Sequence, residues 1–136
     1  MSGLRNYALD SSFLIYHHYK GDNTTNDILK TGLLNLVALS EALYVICRKE
    51  GAATALNFVK EISKVVKVAP TERIAPMAGQ FKCKYPISLA DCWVLATSKV
   101  FKVPALFAFK EKELLAHIDA IRVETEVEFL DEIIKT

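Results

Sequence analysis

The sequence of 136 residues has little of what marks linkers, cross-linked scaffolds or membrane spans. It contains only 5 glycines and 4 prolines, and no Gly/Ser-rich or low-complexity stretch divides it, so we expect one domain covering residues 1–136. Its three cysteines are an odd number without close pairing, which argues against a disulfide scaffold or a zinc ribbon. No apolar run approaches the ~18 residues that a bilayer span needs, and the first ten residues lack a secretory signal. These absences predict a soluble cytoplasmic protein.

The sequence also lacks a large excess of positive or negative charge. Lys plus Arg number 17 and Asp plus Glu number 16, so the formal net charge is only +1. This balance argues against an extensive basic coat for nucleic acid, although it allows a basic rim around an acidic site. Neither G-x-G-x-x-G nor a P-loop pattern occurs, which disfavours a nucleotide-binding domain. Hydrophobic residues make up 51% of the chain, enough for a packed core.

Short apolar segments alternate with segments of helical periodicity along the whole chain. We predict strands at 7–9, 33–39, 65–68, 104–109 and 120–123, and helices between them, with a last helix at 126–135. Pro76 is expected to kink or break the helix predicted at 71–84. Strands that alternate with helices form mainly parallel sheets covered on both faces. The sequence therefore predicts a three-layer α/β/α domain.

Three acidic residues lie in unusually apolar surroundings. Asp10 follows an apolar run, Glu41 lies between two apolar segments, and Asp91 is the only charged residue between positions 87 and 97. A buried, unpartnered carboxylate costs several kcal/mol or becomes protonated. Asp10 and Glu41 are predicted near the carboxyl ends of strands, where open α/β sheets bind ligands, and the first helical turn containing Asp91 can face the same edge. Oxygen ligands without a His or Cys cluster suit Mg²⁺ or Mn²⁺.

Each of these acids also has a purely structural interpretation. Ser88 and Asp91 fit a capping pattern at the start of a helix, Asp10 can cap the helix that follows it, and Glu41 can be a solvated helix residue. The joint pattern is more specific than any one of its members, but it does not identify a reaction.

Three segments, taken in order, resemble the PIN-domain family, in particular the compact VapC-like ribonuclease toxins. They are YALDSSFLI at 7–15, LVALSEALY at 36–44 and AGQFKCKYPISLADCWVLAT at 78–97. They are similar to the family's opening Asp-Ser segment, its Ser/Thr-x-Glu helix start and its Ser-Leu-x-Asp helix. The resemblance spans nearly the whole chain.

The fourth acidic position departs from the family pattern, which commonly shows Thr-x-Asp-x-x-Phe. In the segment LFAFKEKEL at 106–114, Glu111 takes the acidic position and Phe109 stands where Thr is common. The neighbouring Glu113 is an alternative fourth acid. A plain solvated helix start, flanked by Lys110 and Lys112, is the other interpretation of Glu111.

The resemblance implies a sheet of about five strands in the order 3-2-1-4-5 and a divalent-metal-dependent endoribonuclease that cleaves RNA phosphodiester bonds with Mg²⁺ or Mn²⁺. It implies Asp10 and Asp91 as main ligands, Glu41 as a direct or water-mediated ligand, and Glu111 as a ligand or water-positioning group. Ser12 is expected to support these ligands or to cap a helix. The implied context is a type II toxin with an antitoxin partner, often a homodimer. An RNA-processing PIN nuclease without an antitoxin and a catalytically impaired PIN-fold binding protein are the alternatives.

Residues outside this acidic set have weaker expectations. The candidate phosphate contacts are basic residues, each with a solvated surface as the alternative: Lys82, Lys84, Lys99, Lys102, Lys110 and Lys112. The aromatic residues Tyr44, Phe58, Trp93 and Phe101 are expected in the core, as are the three cysteines Cys47, Cys83 and Cys92.

Overall fold

The computed structural model describes residues 5–134. The elements in that range are, in chain order, β1 (Ala8–Leu9), α1 (Ser11–Lys20), α2 (Asn23–Lys30), β2 (Leu33–Leu34), α3 (Leu36–Glu50), α4 (Ala52–Ser63), β3 (Lys67–Val68), α5 (Thr71–Lys84), α6 (Leu89–Phe101), β4 (Ala105–Phe107), α7 (Lys112–Leu115), α8 (Ile118–Glu124), β5 (Val127–Phe129) and α9 (Leu130–Ile133). Strands and helices alternate nearly throughout, as the sequence predicts.

The five strands form one parallel sheet in the order β3-β2-β1-β4-β5, which confirms the predicted order. Strand β1 is central: Ala8 pairs with Leu33 of β2 and with Ala105 of β4. The chain adds β2 and β3 on one side of β1, and then β4 and β5 on the other side. The carboxyl end of β1 is therefore the switch point where such sheets form a crevice.

Alternate strand residues pack into two separate cores, one on each face of the sheet. Leu9, Leu34 and Leu106 face a core that includes buried residues of α1 to α4. Ala105 and Phe107 face a second core formed with α5, α6 and α8. Because successive side chains of a strand point to opposite faces, short apolar strands can bury both sides. This arrangement confirms the three-layer α/β/α prediction.

Two predicted strands differ from the observed ones. The second strand ends at Leu34, because the buried Asn35 caps α3 by accepting a hydrogen bond from the Ala38 amide at 2.9 Å. Glu41 therefore lies in the second turn of a helix and not directly after a strand. At the other end of the chain, the predicted strand 120–123 is part of α8, in which only Ile121 is buried. The last strand instead places Val127 and Phe129 in the core.

The helix predictions are closer. Helix α5 spans the predicted residues and continues through the exposed Pro76. The predicted last helix is much shorter, because its first half is occupied by β5, and Lys135 lies outside the described residues. None of the helices within residues 5–134 has the length and apolar character required to traverse a bilayer.

Candidate functional site

Asp10 lies at the carboxyl end of the central strand and begins the first helix. Its amide donates to the Leu106 carbonyl at 3.0 Å, which continues the pairing of β1 with β4. Its Oδ2 accepts a hydrogen bond from the Ser12 amide at 3.0 Å, so Asp10 is the N-cap of α1. The side chain is only 4% exposed. The capping interpretation of Asp10 is therefore correct. The cap uses Oδ2 of the carboxylate and does not use Oδ1.

Asp91 lies in the first turn of α6, where the cap is supplied by another residue. The Ser88 hydroxyl accepts a hydrogen bond from the Asp91 amide at 3.1 Å. Since this cap uses the amide of Asp91, the helix start does not need its carboxylate. Asp91 is nevertheless only 6% exposed. A capping role alone does not explain why an acid is buried here.

The other two acids come from α3 and from the segment after β4. Glu41 is half-buried, and its Oε1 accepts a short hydrogen bond from the buried Ser11 hydroxyl. Glu111 is the N-cap residue of α7. Together with Asp10 and Asp91, these side chains line one cleft of about 310 Å³. The structure thus brings together the four acids that the sequence analysis selected, and Glu113 does not line this cleft.

Serine residues arrange the walls of the cleft. The Ser12 hydroxyl accepts a hydrogen bond from the Ala108 amide at 2.9 Å, which ties α1 to the end of β4. Ser12 therefore supports the site across the chain and does not cap α1, since Asp10 does. Ser11, which fixes Glu41, was not selected from the sequence. Its only sequence signal was its position directly after Asp10.

The acids shift one another's proton affinity. Burial raises the pKa of Asp10 to about 6, with hydrogen bonds to Ser12 opposing the shift and the charges of Glu41 and Glu111 adding to it. Burial, then repulsion by Asp10 and Glu111, raises the pKa of Asp91 to about 7. Burial and the charge of Glu41 also raise the pKa of Glu111. The cleft therefore concentrates negative charge.

The charge of the four acids is not offset by an ion pair in the described part of the chain. Within residues 5–134, none of the four acids forms an ion pair with Lys, Arg or His. Four carboxylates that line one cleft offer only oxygen donors, and such donors fit a hard divalent cation such as Mg²⁺ or Mn²⁺ by their chemistry. In the same range, however, no three acidic, His or Cys side chains are already gathered as ligands of one ion. Mutual repulsion keeps such carboxylates apart until a cation neutralises them.

The structure divides the candidate phosphate-binding lysines. Lys84 and Lys99 contact Glu124 at 2.8 and 3.0 Å, and Lys110 contacts Glu132 at 3.0 Å. Lys82 donates to the Ile87 carbonyl at 2.6 Å, one residue before Ser88 of the cleft. The charges of three of the six candidates are thus already paired.

Some of the residues expected in the core lie at the surface. Phe58 and Cys92 are buried as predicted, but Tyr44 is 48% exposed and Cys83 is fully at the surface. Helical spacing indicates which side chains share a face of the helix. It does not indicate whether another element packs over the whole of that face.

Comparison with known proteins agrees with this fold. The family model of the PIN domain matches residues 7–120, so the chain belongs to the PIN-domain family. PIN domains are generally nucleases that use divalent metals. None of the curated proteins compared with the chain matches it.

Several solved structures with a similar fold contain VapBC or VapC proteins. The DNA-bound VapBC of Salmonella typhimurium has a TM-score of 0.70 at 14% identity, covering 93% of this chain and 98% of that one. VapBC2 of Rickettsia felis, bound to a promoter DNA fragment, has a TM-score of 0.72 at 10% identity, covering 93% and 99%. VapC20 of Mycobacterium tuberculosis, a Sarcin-Ricin loop cleaving toxin, has a TM-score of 0.61 at 18% identity, covering 82% and 94%. At these identities the likeness concerns the fold.

Proposed function

We propose that this PIN-domain protein is a divalent-metal-dependent endoribonuclease and the toxin of a toxin–antitoxin pair. The observation that carries the proposal is the cleft lined by Asp10, Glu41, Asp91 and Glu111, none of which forms an ion pair with another residue of the range 5–134. Four acids from distant parts of the chain repel one another and weaken the fold. Clusters of acids that lower the stability of a fold are typical of sites that serve binding or catalysis.

The acids have different positions in the proposed site. Asp10 and Asp91, both buried, are the main residues that would hold a divalent ion, and Glu41 and Glu111 complete the set. When bound, the ion would supply a more acidic water and neutralise charge on the phosphate. Ser11 orients Glu41 through its hydroxyl, and Ser12 fixes the spacing of α1 and the end of β4. Glu111, at the open side of the cleft, can accept a hydrogen bond from an attacking water.

The decisive experiment is Mn²⁺-dependent cleavage of a panel of structured RNAs by the purified protein and by Asp10→Asn. Asn retains an acceptor oxygen for the Ser12 amide, so the cap of α1 is preserved while the charge is lost. We expect cleavage to fall by at least about 100-fold, since a main ligand is lost, without a decrease in the thermal midpoint. Asp119→Asn, at an exposed aspartate in the first turn of α8, is the matched control and should cleave normally. Unchanged cleavage by Asp10→Asn would contradict the assignment.

The partner proposals have separate support. The structures of similar fold from Salmonella typhimurium and Rickettsia felis contain VapBC, and one from Klebsiella pneumoniae is a toxin–antitoxin complex. These complexes support an antitoxin as the partner that restrains this protein. Co-purification of a small protein encoded next to it, together with loss of cleavage in the complex, tests this proposal. Homodimer formation is tested by light scattering of the free protein.

A further inference from the structure

A second groove opens beside the acidic cleft. Its lining comes from α1, the end of α3 and the segment after β4, and the residues are Ile15, Tyr16, Tyr19, Lys20, Lys49 and Phe109. We call it the aromatic groove; its volume is about 250 Å³. Ile15 lines both this groove and the acidic cleft, so a bound molecule can pass from one to the other.

The rings of the aromatic groove are open to solvent. Phe109 is 57% exposed and Tyr19 is 45% exposed. Tyr16 and Phe109 meet edge to face, with ring centroids 6.3 Å apart. An edge-to-face pair leaves at least one ring face uncovered, and an uncovered ring face is a surface on which a nucleobase can stack.

The rim of the aromatic groove carries excess positive charge. Lys20 and Lys49 are exposed, and neither forms an ion pair with any residue in the range 5–134. The Lys49 ammonium lies 5.5 Å from the centroid of the Tyr19 ring. The nearby Glu50 contacts His18 at 3.0 Å, and its single negative charge leaves the two lysines with a net excess of one positive charge. Ring faces interleaved with unpaired lysines are typical of surfaces that bind single-stranded nucleic acid.

We propose that the aromatic groove binds unpaired nucleotides of the RNA, next to the bond that is cut in the acidic cleft. A base stacks on the Tyr16–Phe109 pair, and flanking phosphates contact Lys20 and Lys49. The inference rests on the proposed function, because it takes RNA as the substrate. It adds which residues of this chain contact that RNA, and it requires the base on the Tyr16–Phe109 pair to be unpaired, since a paired base cannot offer its face to a ring. An apolar peptide is the other conceivable occupant, and the two lysines favour a polyanion.

Binding is measured in EDTA, so that no cleavage takes place and the result does not depend on catalysis. The probe is a fluorescein-labelled, unstructured RNA of about 12 nucleotides, followed by anisotropy, with the same sequence as a duplex for comparison. We expect Phe109→Ala to weaken binding of the single strand by roughly tenfold, the typical effect of losing one stacked base. Lys49→Ala should lower the slope of log K against log salt by about 0.7, as expected for one lost phosphate contact. The duplex should bind more weakly than the single strand and be insensitive to Phe109→Ala.

Tyr44→Ala is the matched control. Tyr44 is also a half-exposed ring, 48% exposed on α3, and Arg48 lies 5.4 Å from its centroid, but it lines a different groove, which shares Glu41 with the acidic cleft. This variant should bind the single strand as the unmodified protein does. Because Phe109 and Tyr44 are both half-exposed, thermal melting should show that both variants remain folded.

Several results would overturn the proposal. One is Phe109→Ala binding RNA with unchanged affinity, and another is Tyr44→Ala losing as much affinity as Phe109→Ala. A third is Phe109→Ala retaining its RNA affinity while it loses a co-expressed antitoxin, which would identify the groove as a protein-docking site. Failure of the proposed function is distinct, because it would be an absence of Mn²⁺-dependent cleavage by the unmodified protein whatever the binding data show.

Discussion

Replacement of Asp91 by Asn is expected to stabilise the metal-free protein at neutral pH, although it removes an acid from the proposed site. Asp91 is 6% exposed and shares the cleft with three other carboxylates. The helix start does not depend on its charge, because Ser88 supplies the cap. Asn has nearly the same shape as Asp and carries no charge, so it relieves the repulsion without leaving a cavity.

The magnitude follows from the raised pKa of Asp91, which moves from 3.8 to about 7. Each pH unit of such a difference corresponds to about 1.4 kcal/mol, so complete ionisation of Asp91 costs the folded state at most about 4 kcal/mol. The cleft is open to water, which screens part of the repulsion. We therefore expect Asp91→Asn to raise the free energy of unfolding by about 1–3 kcal/mol at pH 8.

The pH dependence has a definite sign. The folded state holds the Asp91 proton more tightly than the unfolded state, so the stabilising effect of this proton is complete below pH 3.8. It is lost progressively as the pH rises toward about 7. The advantage of Asp91→Asn over the unmodified protein should therefore be small at pH 4, grow up to pH ~7 and then stay constant.

Urea unfolding in EDTA at several pH values measures this advantage, and Asp119→Asn is the matched control. Asp119 also lies in the first turn of a helix but is exposed, so its replacement should cause no gain. Added Mn²⁺ should stabilise the unmodified protein more than Asp91→Asn. An Asp91→Asn protein that is less stable at pH 8, or an advantage equal at pH 4 and pH 8, would refute the reasoning.

Four further predictions concern another acid of the cleft and other parts of the molecule. Glu111→Gln should lower RNA cleavage by at least about tenfold. Glu113 does not line the cleft, so Glu113→Gln should leave cleavage unchanged. Equal effects of the two substitutions would contradict the assignment of Glu111 as the fourth acid. Although burial opposes it, hydrogen bonds from two lysines and a tyrosine lower the pKa of Glu124 to about 2. The stability that the charged Glu124 contributes is therefore present above pH ~4.5 and is lost as the pH falls toward ~2. Glu124→Gln should lower the free energy of unfolding in urea by about 1 kcal/mol at pH 7 and by much less at pH 2.5. An equal loss at both pH values would exclude an electrostatic origin. Gly79→Ala should raise stability by about 0.5–1 kcal/mol, because an added Cβ meets nothing within 4 Å in an exposed helix. Gly32→Ala should instead lower the melting temperature, because its Cβ would lie 2.4 Å from a buried leucine methyl; a gain there would show that the core adjusts.

The sequence predicted the elements whose signals are local. Helix α5 matches its predicted bounds, and the cap of α6 was evident from Ser88 and Asp91. The second and the last predicted strands were less accurate. Strand β5 has only three residues, and it is a strand because it pairs with β4, which is a contact between distant parts of the chain. Residues 120–123 have a strand-like composition but remain helical, with Val123 88% exposed.

Apolar surroundings alone were enough to single out Asp10, Glu41 and Asp91, because an acid in such a segment needs a physical reason. The order and spacing of their segments also implied the family and the sheet order. Only the tertiary structure decided that Glu111 and not Glu113 lines the cleft, that Ser12 bonds to Ala108, and which lysines are paired. These facts depend on parallel crossovers that bring the ends of separate strands to one edge. Periodicity along a chain indicates which face a residue occupies, whereas the neighbours across that face are set by how the elements pack.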